Sequence, residues 1–156
     1  MATLPEDLTL SIANSVDEIP TSTFYRIARL RQEVFVVEQD CVFLDLDGRD
    51  LELGSMQLWM ETADGAVAAS VRILDESEHE NEPGLRSIGR VVTDPAWRGR
   101  GIAAELLRAA IAACEGGPIL IHAQSQLSEW YGRFGFVACG EEFLEDGIQH
   151  LPMRIG

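Results

Sequence analysis

The sequence predicts one α/β domain, spanning residues 1–156, in which helices are inserted into a mixed β-sheet. Two apolar runs flank the tight-turn dipeptide Asp64-Gly65, a pattern that predicts an antiparallel hairpin. A strand pattern, a helix pattern and a second strand pattern follow one another between residues 85 and 123, which predicts a βαβ unit. The chain has 156 residues, 46% of them hydrophobic, which is enough to bury one substantial core.

The first half of the chain supplies the antiparallel strands. We expect a short strand at 8–13 and a helix at 23–35, where apolar side chains recur at helical spacing. The polar, acidic stretch 40–54 is predicted to be a structured loop. The two hairpin strands follow at 55–62 and 66–74.

The middle of the chain contains the βαβ unit. An exposed acidic loop at 75–84 precedes the strand at 85–93. The segment 101–114 is rich in Ala and Leu and predicts a helix, which Gly116-Gly117-Pro118 ends. The short apolar run at 119–123 is typical of a buried central strand.

The last quarter of the chain predicts a short helix and two closing strands. The helix pattern covers 128–134 and ends at Gly135. Strands are expected at 136–143 and 148–155, on either side of the turn Glu145-Asp146-Gly147.

Composition narrows the class of function. The formal net charge of −14 argues against nucleic acid and anionic membranes as partners. No apolar run approaches membrane-spanning length, and the first ten residues lack a basic segment, so we expect a cytoplasmic protein without a signal peptide. Cys41, Cys114 and Cys139 lack metal-binding spacing, so we expect three buried, unreactive thiols.

A glycine- and arginine-rich loop opens the predicted helix at 101–114. It reads Arg98-Gly99-Arg100-Gly101-Ile102-Ala103. The first backbone N–H groups of a helix lack partners and attract anions, glycine lets an anion approach the backbone, and arginine fits phosphate oxygens. The loop therefore predicts a diphosphate-binding cradle, although a glycine-loosened turn with two solvated arginines is the alternative interpretation.

This loop resembles the Arg/Gln-x-x-Gly-x-Gly/Ala motif that binds the pyrophosphate of coenzyme A in the GNAT N-acetyltransferase superfamily. The segment Trp130–Phe136 resembles a second motif of that superfamily, Tyr-x-x-x-Gly-Phe. The stretches 30–52 and 145–153 are similar to the ElaA-like branch, which usually has Cys-Pro-Tyr where this chain has Cys41-Val42-Phe43.

The resemblance implies a fold and a set of site residues. It implies a single-domain GNAT fold whose central sheet splays between the fourth and fifth strands, with helices on both sides. It also implies that the backbone of Val91, Val92 and Thr93 binds the pantetheine arm, and that Tyr131 is the general acid near the coenzyme sulfur. A purely structural role is the alternative for each: strand core for the valines, and packing on a short helix for Tyr131.

The general base stays open among three residues. Glu38 lies in the branch-specific stretch and could take a proton directly or through water. His150 has a near-neutral intrinsic pKa, and His122 lies on the expected fifth strand. Each also has an ordinary structural interpretation, as a surface carboxylate or as a hydrogen-bonded histidine on a strand.

Acidic residues in the loop 40–54 suggest either a metal site or a substrate pocket. Asp45, Asp47 and Asp50 are not followed by the glycine and glutamate positions of an EF-hand, so we expect no metal. We expect them to be solvated or to line a substrate pocket, where acids from 38–50 would suit a cationic acceptor.

Together these features predict an acetyl-CoA-dependent N-acetyltransferase. The acceptor would be a primary amine of a small molecule or peptide, acetylated by direct transfer in a ternary complex, by a protein that is a monomer or a homodimer. One alternative is a non-catalytic acyl-CoA sensor, which needs the cradle but not Tyr131. Another is an enzyme like the acyl-homoserine-lactone synthases, whose Arg-x-x-Val-Phe and acidic pattern residues 31–47 resemble.

Overall fold

In the computed structural model, which describes Pro5 and residues 7–156, eight strands form one mixed sheet. The expectation that the chain lacks a signal peptide concerns its first ten residues, of which residues 1–4 and 6 lie outside the described residues. The strands are β1 (Leu8–Ala13), β2 (Met56–Thr62), β3 (Val67–Asp75), β4 (Arg86–Thr93), β5 (Ile119–Gln124), β6 (Val137–Ala138), β7 (Phe143–Glu145) and β8 (Ile148–Ile155). Their order in the sheet is β1-β2-β3-β4-β5-β8-β6, with β7 beside β8. The predicted mixed sheet is confirmed, with β4 and β5 parallel and all other neighbours antiparallel.

Three α-helices accompany the sheet: α1 (Thr21–Arg31), α2 (Ile102–Ala113) and α3 (Ser128–Gly132). Buried residues of α1 recur at Thr23, Ile27, Leu30 and Arg31, which places one helix face against the sheet. The predicted helix at 23–35 is longer than expected, because the chain continues from α1 into a π-helical segment at Gln32–Glu38. No helix in the part of the chain that the structure describes is long and apolar enough to cross a membrane.

The two longer helices cover opposite faces of the sheet. On β2, Leu58 and Met60 pack in the cluster that contains α2 residues, whereas Trp59 between them packs in the cluster of α1 residues. Neighbouring residues of a strand point to opposite faces, so α1 and α2 lie on opposite sides. Strand β3 is buried from Val67 to Leu74, as expected for a strand covered on both faces.

The end of the chain differs from the sequence prediction. The strand expected at 136–143 is interrupted, and only β6 and β7 at its two ends pair with β8. Pro152 of β8 has no N–H to donate to a ladder, and a side chain at Gly140 would meet the Pro152 ring at 2.9 Å. Of the three cysteines, Cys41 and Cys114 are buried as predicted, but the prediction for Cys139 is wrong because its side chain is exposed just after β6.

The parallel strands β4 and β5 separate after a short paired region. They pair only at Arg86 with Ile119 and at Ser87 with Leu120, so the second half of β4 has β3 alone as a neighbour. A β-bulge lies at this point: Arg72 of β3 is opposite Gly89, and Ser70 is opposite Val92. Two residues of β4 therefore face one of β3, which bends and twists β4 away from β5. The predicted splay between the fourth and fifth strands is confirmed.

Candidate active site

A cavity of about 320 Å³ lies where β4 and β5 separate. Strand β4 contributes Ile88 to Val91 to its wall, and β5 contributes Leu120 to His122. The other walls come from the π-helical segment and the loop after it, from β3 and the loop that follows it, from α3 and from the β7–β8 hairpin. The aromatic and ionisable side chains of the wall include Phe43, Arg90, Tyr131, Glu145, His122 and His150.

The glycine- and arginine-rich loop lies directly beyond the free end of β4. Gly99 and Gly101 have φ values of 79° and 76°, the left-handed region that favours glycine. Gly101 caps the N-terminus of α2, and a side chain added there or at Gly99 would meet no atom within 4 Å. The backbone at the start of α2 is therefore open to the approach of a ligand, and the first N–H groups of a helix, here those of Ile102 and Ala103, lack intrahelical partners and attract anions.

The two arginines of the loop are held in different ways. Arg98 donates to both carboxylate oxygens of Glu38, at 3.0 and 2.8 Å, and to the carbonyl oxygen of Thr93 at 3.3 Å. Arg100 stacks its guanidinium 4.6 Å from the centre of the Trp97 ring. Both side chains thus stay beside the start of α2, and Arg98 joins the loop to the end of the π-helical segment.

Glu38 is poorly placed for the role of general base. It is not among the described residues that line the cavity. The hydrogen bond from Arg98 lowers the pKa of its carboxylate, which reduces its tendency to accept a proton at neutral pH. Its contacts suit a different role, the orientation of Arg98.

Tyr131 lies on α3 and is buried, with its ring packed edge-on against Trp130 at 4.9 Å and Phe136 at 6.1 Å. Burial raises the pKa of its phenol to about 12, so the hydroxyl keeps its proton at neutral pH. No hydrogen bond joins this hydroxyl to any described residue, although the side chain lines the cavity. It is therefore a proton donor without an acceptor among the residues that the structure describes.

His150 faces the cavity from β8 and is 8% exposed. Its Nδ1 lies 2.8 Å from the carbonyl oxygen of Ile148. A carbonyl oxygen only accepts, so Nδ1 carries the proton and the neutral ring has its lone pair on Nε2. That nitrogen lies 3.7 Å from Oε2 of Glu145 and is free to accept a proton.

Glu145 connects the two candidate histidines, although its place in the sequence Glu145-Asp146-Gly147 predicts only a turn residue. Its other oxygen, Oε1, lies 3.9 Å from Nδ1 of His122. Interaction with Glu145 raises the pKa of His122, and the same interaction lowers the pKa of Glu145. Phe143 packs between the rings, edge-on to His122 at 5.0 Å and stacked on His150 at 5.8 Å. A helical or strand period cannot reveal such a cluster, because it joins three different strands.

The acidic loop is held by buried ion pairs. Arg31 at the end of α1 is 0% exposed and donates to Asp45 at 2.8 Å and to Asp50 at 2.7 Å. Asp50 also accepts from Gln57 at 2.8 Å and from Arg72 at 3.3 Å. The expectation that Asp45 and Asp50 are solvated or line the pocket is therefore wrong: both are buried and paired, because each lies beside an arginine contributed by another element.

Asp47 alone among the three aspartates reaches the cavity wall, and it too is paired. Arg72 donates to its two oxygens at 2.9 and 3.1 Å, and Arg90 lies 3.3 Å away. Burial alone would raise the pKa of Asp47, but the bonds from Arg72 and from the backbone of Arg49 lower it to about 2. At the cavity wall, Asp47 is therefore part of an ion pair and is not a free carboxylate.

The same network fixes the bulge of β4. Arg90 has φ 52°, an uncommon value for a residue with a side chain. Its guanidinium lies 2.9 Å from Asp45, an ionic contact without hydrogen-bond geometry at that atom, and 5.4 Å from the centre of the Phe43 ring. These contacts hold the bulge open beside Val91, whose side of β4 faces the cavity. Phe43 keeps an aromatic ring at the position where the ElaA-like branch usually has tyrosine.

This arrangement of a split parallel pair, a glycine-rich helix start and a cavity between them defines an acyltransferase of the acyl-CoA-dependent class. A family model for the acetyltransferase (GNAT) domain matches residues 42–156, and the chain belongs to that family. Within this family the chain is ElaA-like, since it is similar to Escherichia coli ElaA in both sequence and structure.

Three known proteins illustrate the similarity. A Mycobacterium tuberculosis protein, UPF0039 protein Rv2851c, is 42% identical over 136 residues, which are 87% of this chain and 86% of that protein. The crystal structure of an acyl-CoA N-acyltransferase from Pseudomonas aeruginosa matches with a TM-score of 0.85 at 38% identity, over 96% of this chain and 99% of that one. The crystal structure of Escherichia coli ElaA matches with a TM-score of 0.84 at 32% identity, over 94% of this chain and 98% of that one.

Proposed function

We propose that the protein is an acetyl-CoA-dependent N-acetyltransferase that acetylates a primary amine by direct transfer in a ternary complex. One observation carries the proposal: a proton donor, Tyr131, and a proton acceptor, His150, line the same cavity at the split between β4 and β5. Transfer to an amine needs these two groups, because the amine must lose a proton and the leaving thiolate must gain one.

The donor substrate would lie along the free half of β4 and end at the start of α2. The free N–H groups of Gly101, Ile102 and Ala103, with Arg98 and Arg100, would bind the diphosphate. The unpaired backbone of Val91, Val92 and Thr93 would bind the pantetheine arm, and an N–H of this edge would donate to the thioester oxygen as negative charge develops there.

The protons balance with the chain's own groups. His150 Nε2 takes one proton from the ammonium, and the neutral amine attacks the thioester carbonyl. As the C–N bond forms and the C–S bond breaks, Tyr131 gives its phenolic proton to the thiolate. The second proton lost by the substituted nitrogen returns Tyr131 to its phenol form, and the proton on His150 passes to solvent.

Thiol release tests the proposal. The purified protein is incubated with acetyl-CoA and a panel of primary amines, and free coenzyme A thiol is measured together with the acetylated amine by mass spectrometry. We expect amine-dependent thiol release and a product heavier by one acetyl group. Tight binding of acetyl-CoA without thiol release for any amine or peptide would contradict the proposal and favour an acyl-CoA sensor.

A further inference from the structure

The carboxylate of Glu145 is the one acid of the cavity wall whose two oxygens face histidines. Of the four other acids of the wall, Asp47 and Glu76 are bonded to arginines, whereas Glu80 and Asp146 are exposed. Glu145 lies 3.9 Å from His122 through one oxygen and 3.7 Å from His150 through the other, and Arg90 attracts it from a longer distance. No arginine lies within 4.0 Å of it among the described residues.

Three neighbouring contacts place the backbone of Glu145, whose side chain is 48% exposed. Its strand, β7, pairs with β8 so that Phe143 is directly opposite His150, and the two rings stack. Residues two apart on a strand share a face, so Glu145 points to the same side as Phe143. The thiol of Cys41 donates to the carbonyl oxygen of Asp146 at 2.9 Å and ties the β7–β8 turn to the loop above the cavity.

The gap between Glu145 and His150 contains two hydrogen-bond acceptors. When the His150 ring is neutral, donation through Nδ1 to Ile148 leaves Nε2 as an acceptor, and Oε2 of an ionised carboxylate is always an acceptor. Two acceptors 3.7 Å apart cannot bond to each other, but one donor atom can lie about 2.9 Å from both. A primary ammonium fits this requirement because it is a cation with three N–H donors.

We propose that Glu145 Oε2 and His150 Nε2 together bind the ammonium group of the acceptor, so that Glu145 selects cationic primary amines and delivers them to His150. This inference rests on the proposed function and adds to it the residue that recognises the acceptor. The carboxylate holds the ammonium, the proton on the N–H that faces Nε2 passes to His150, and the neutral amine remains beside the thioester. His122 lies 3.9 Å from the other oxygen of Glu145.

The amine site can be tested by binding, without turnover. Protein labelled with ¹⁵N at its histidine rings is titrated with n-butylammonium chloride, and the His150 ring signals are identified by their loss in His150→Asn. We expect these signals to shift on titration, and Glu145→Gln to weaken the apparent affinity about tenfold or more, because a charge-assisted hydrogen bond is lost. Glu142→Gln is the matched control, since Glu142 is exposed, lies three residues away and does not line the cavity.

Kinetics separates this inference from the function on which it rests. With n-butylamine as acceptor, we expect Glu145→Gln to raise KM about tenfold or more, while its Kd for acetyl-CoA and its melting temperature match those of Glu142→Gln. If Glu145→Gln keeps the wild-type KM and titration midpoint, the ammonium site is wrong and N-acetyl transfer stands. If the wild type shows the Glu145-dependent shift but acetylates no amine, the ammonium site stands and N-acetyl transfer is wrong.

Discussion

Replacing Tyr131 by phenylalanine removes the proposed proton donor and little else. The ring contacts with Trp130 and Phe136 involve only ring atoms, which phenylalanine keeps. The hydroxyl makes no hydrogen bond to any described residue, so its loss breaks no protein contact, and we expect the free energy of unfolding to change by less than about 0.5 kcal/mol.

The expected kinetic loss is larger than the expected change in stability. General acids contribute about 10²- to 10⁴-fold to a rate, and water can replace the phenol in part, so kcat should fall at least about tenfold, or about 1.4 kcal/mol in activation free energy. An interaction made only in the transition state lowers kcat and kcat/KM together, so the Kd of acetyl-CoA should stay near its wild-type value.

The assay is steady-state thiol release beside a melting curve and calorimetric titration with acetyl-CoA. Tyr25→Phe is the matched control, because Tyr25 is the other of the two tyrosines and is 69% exposed on α1. Wild-type kcat in folded Tyr131→Phe would refute the acid role and leave Tyr131 as a packing residue. A lowered melting temperature with intact turnover would support packing alone.

Three further perturbations test the cradle and the ion pairs. Gly101→Ala should weaken acetyl-CoA binding at least about tenfold in a calorimetric titration. Gly84 has a similar positive φ and equally open surroundings, so the control Gly84→Ala should share the backbone strain of about 1–2 kcal/mol but not the loss of binding. Equal Kd values for the two variants would remove the cradle assignment. Asp50→Asn should lower the free energy of unfolding, measured in urea, by about 3–5 kcal/mol, because Arg31 loses a buried ionised partner. Glu78 is exposed, so Glu78→Gln should change the free energy of unfolding by less than about 0.5 kcal/mol. Similar stabilities of the two variants would contradict the importance of the network. The pKa of Asp47 in the folded protein is about 2, below the 3.8 that is usual for an aspartate, so its stabilisation of at most about 2 kcal/mol is present above pH 4 and disappears as the pH falls toward 2. The melting temperature of Asp47→Asn should therefore decline less than that of the wild type across that window, and parallel declines would refute the assignment.

The elements that depend on consecutive residues were predictable from the sequence. Asp64-Gly65 gives the β2–β3 turn, and Gly65 adopts φ 89°. Helix α2 begins and ends within one residue of the predicted bounds. Gly101 at its start and the glycines after Cys114 favour conformations that end a helix, so both ends are marked in the sequence. The π-helical extension of α1 to Glu38 and the break between β6 and β7 were not predicted, since no short motif or periodicity in the sequence marks them.

The bulge in β4 shows how tertiary contacts override a local preference. Gly89 would be the expected residue for a positive φ, yet Arg90 next to it has φ 52°. The reason is the environment of the Arg90 side chain, which is held by Asp45 and lies over Phe43. The loop that contributes those two residues is more than 40 positions away in the sequence, so no local pattern reports this contact.

The sequence by itself determined the class of fold, the glycine-rich helix start and the types of residue near the chemistry, because these follow from turn preferences, periodicity and short motifs. Only the tertiary structure decided which charged groups are partners. Glu38 pairs with Arg98 across 60 positions, Arg31 takes Asp45 and Asp50, and Glu145 remains to face two histidines. In a chain with 26 acidic and 12 basic residues, a charge has many eligible partners, and only the register of the strands and the path of the loops bring one of them within 3 Å.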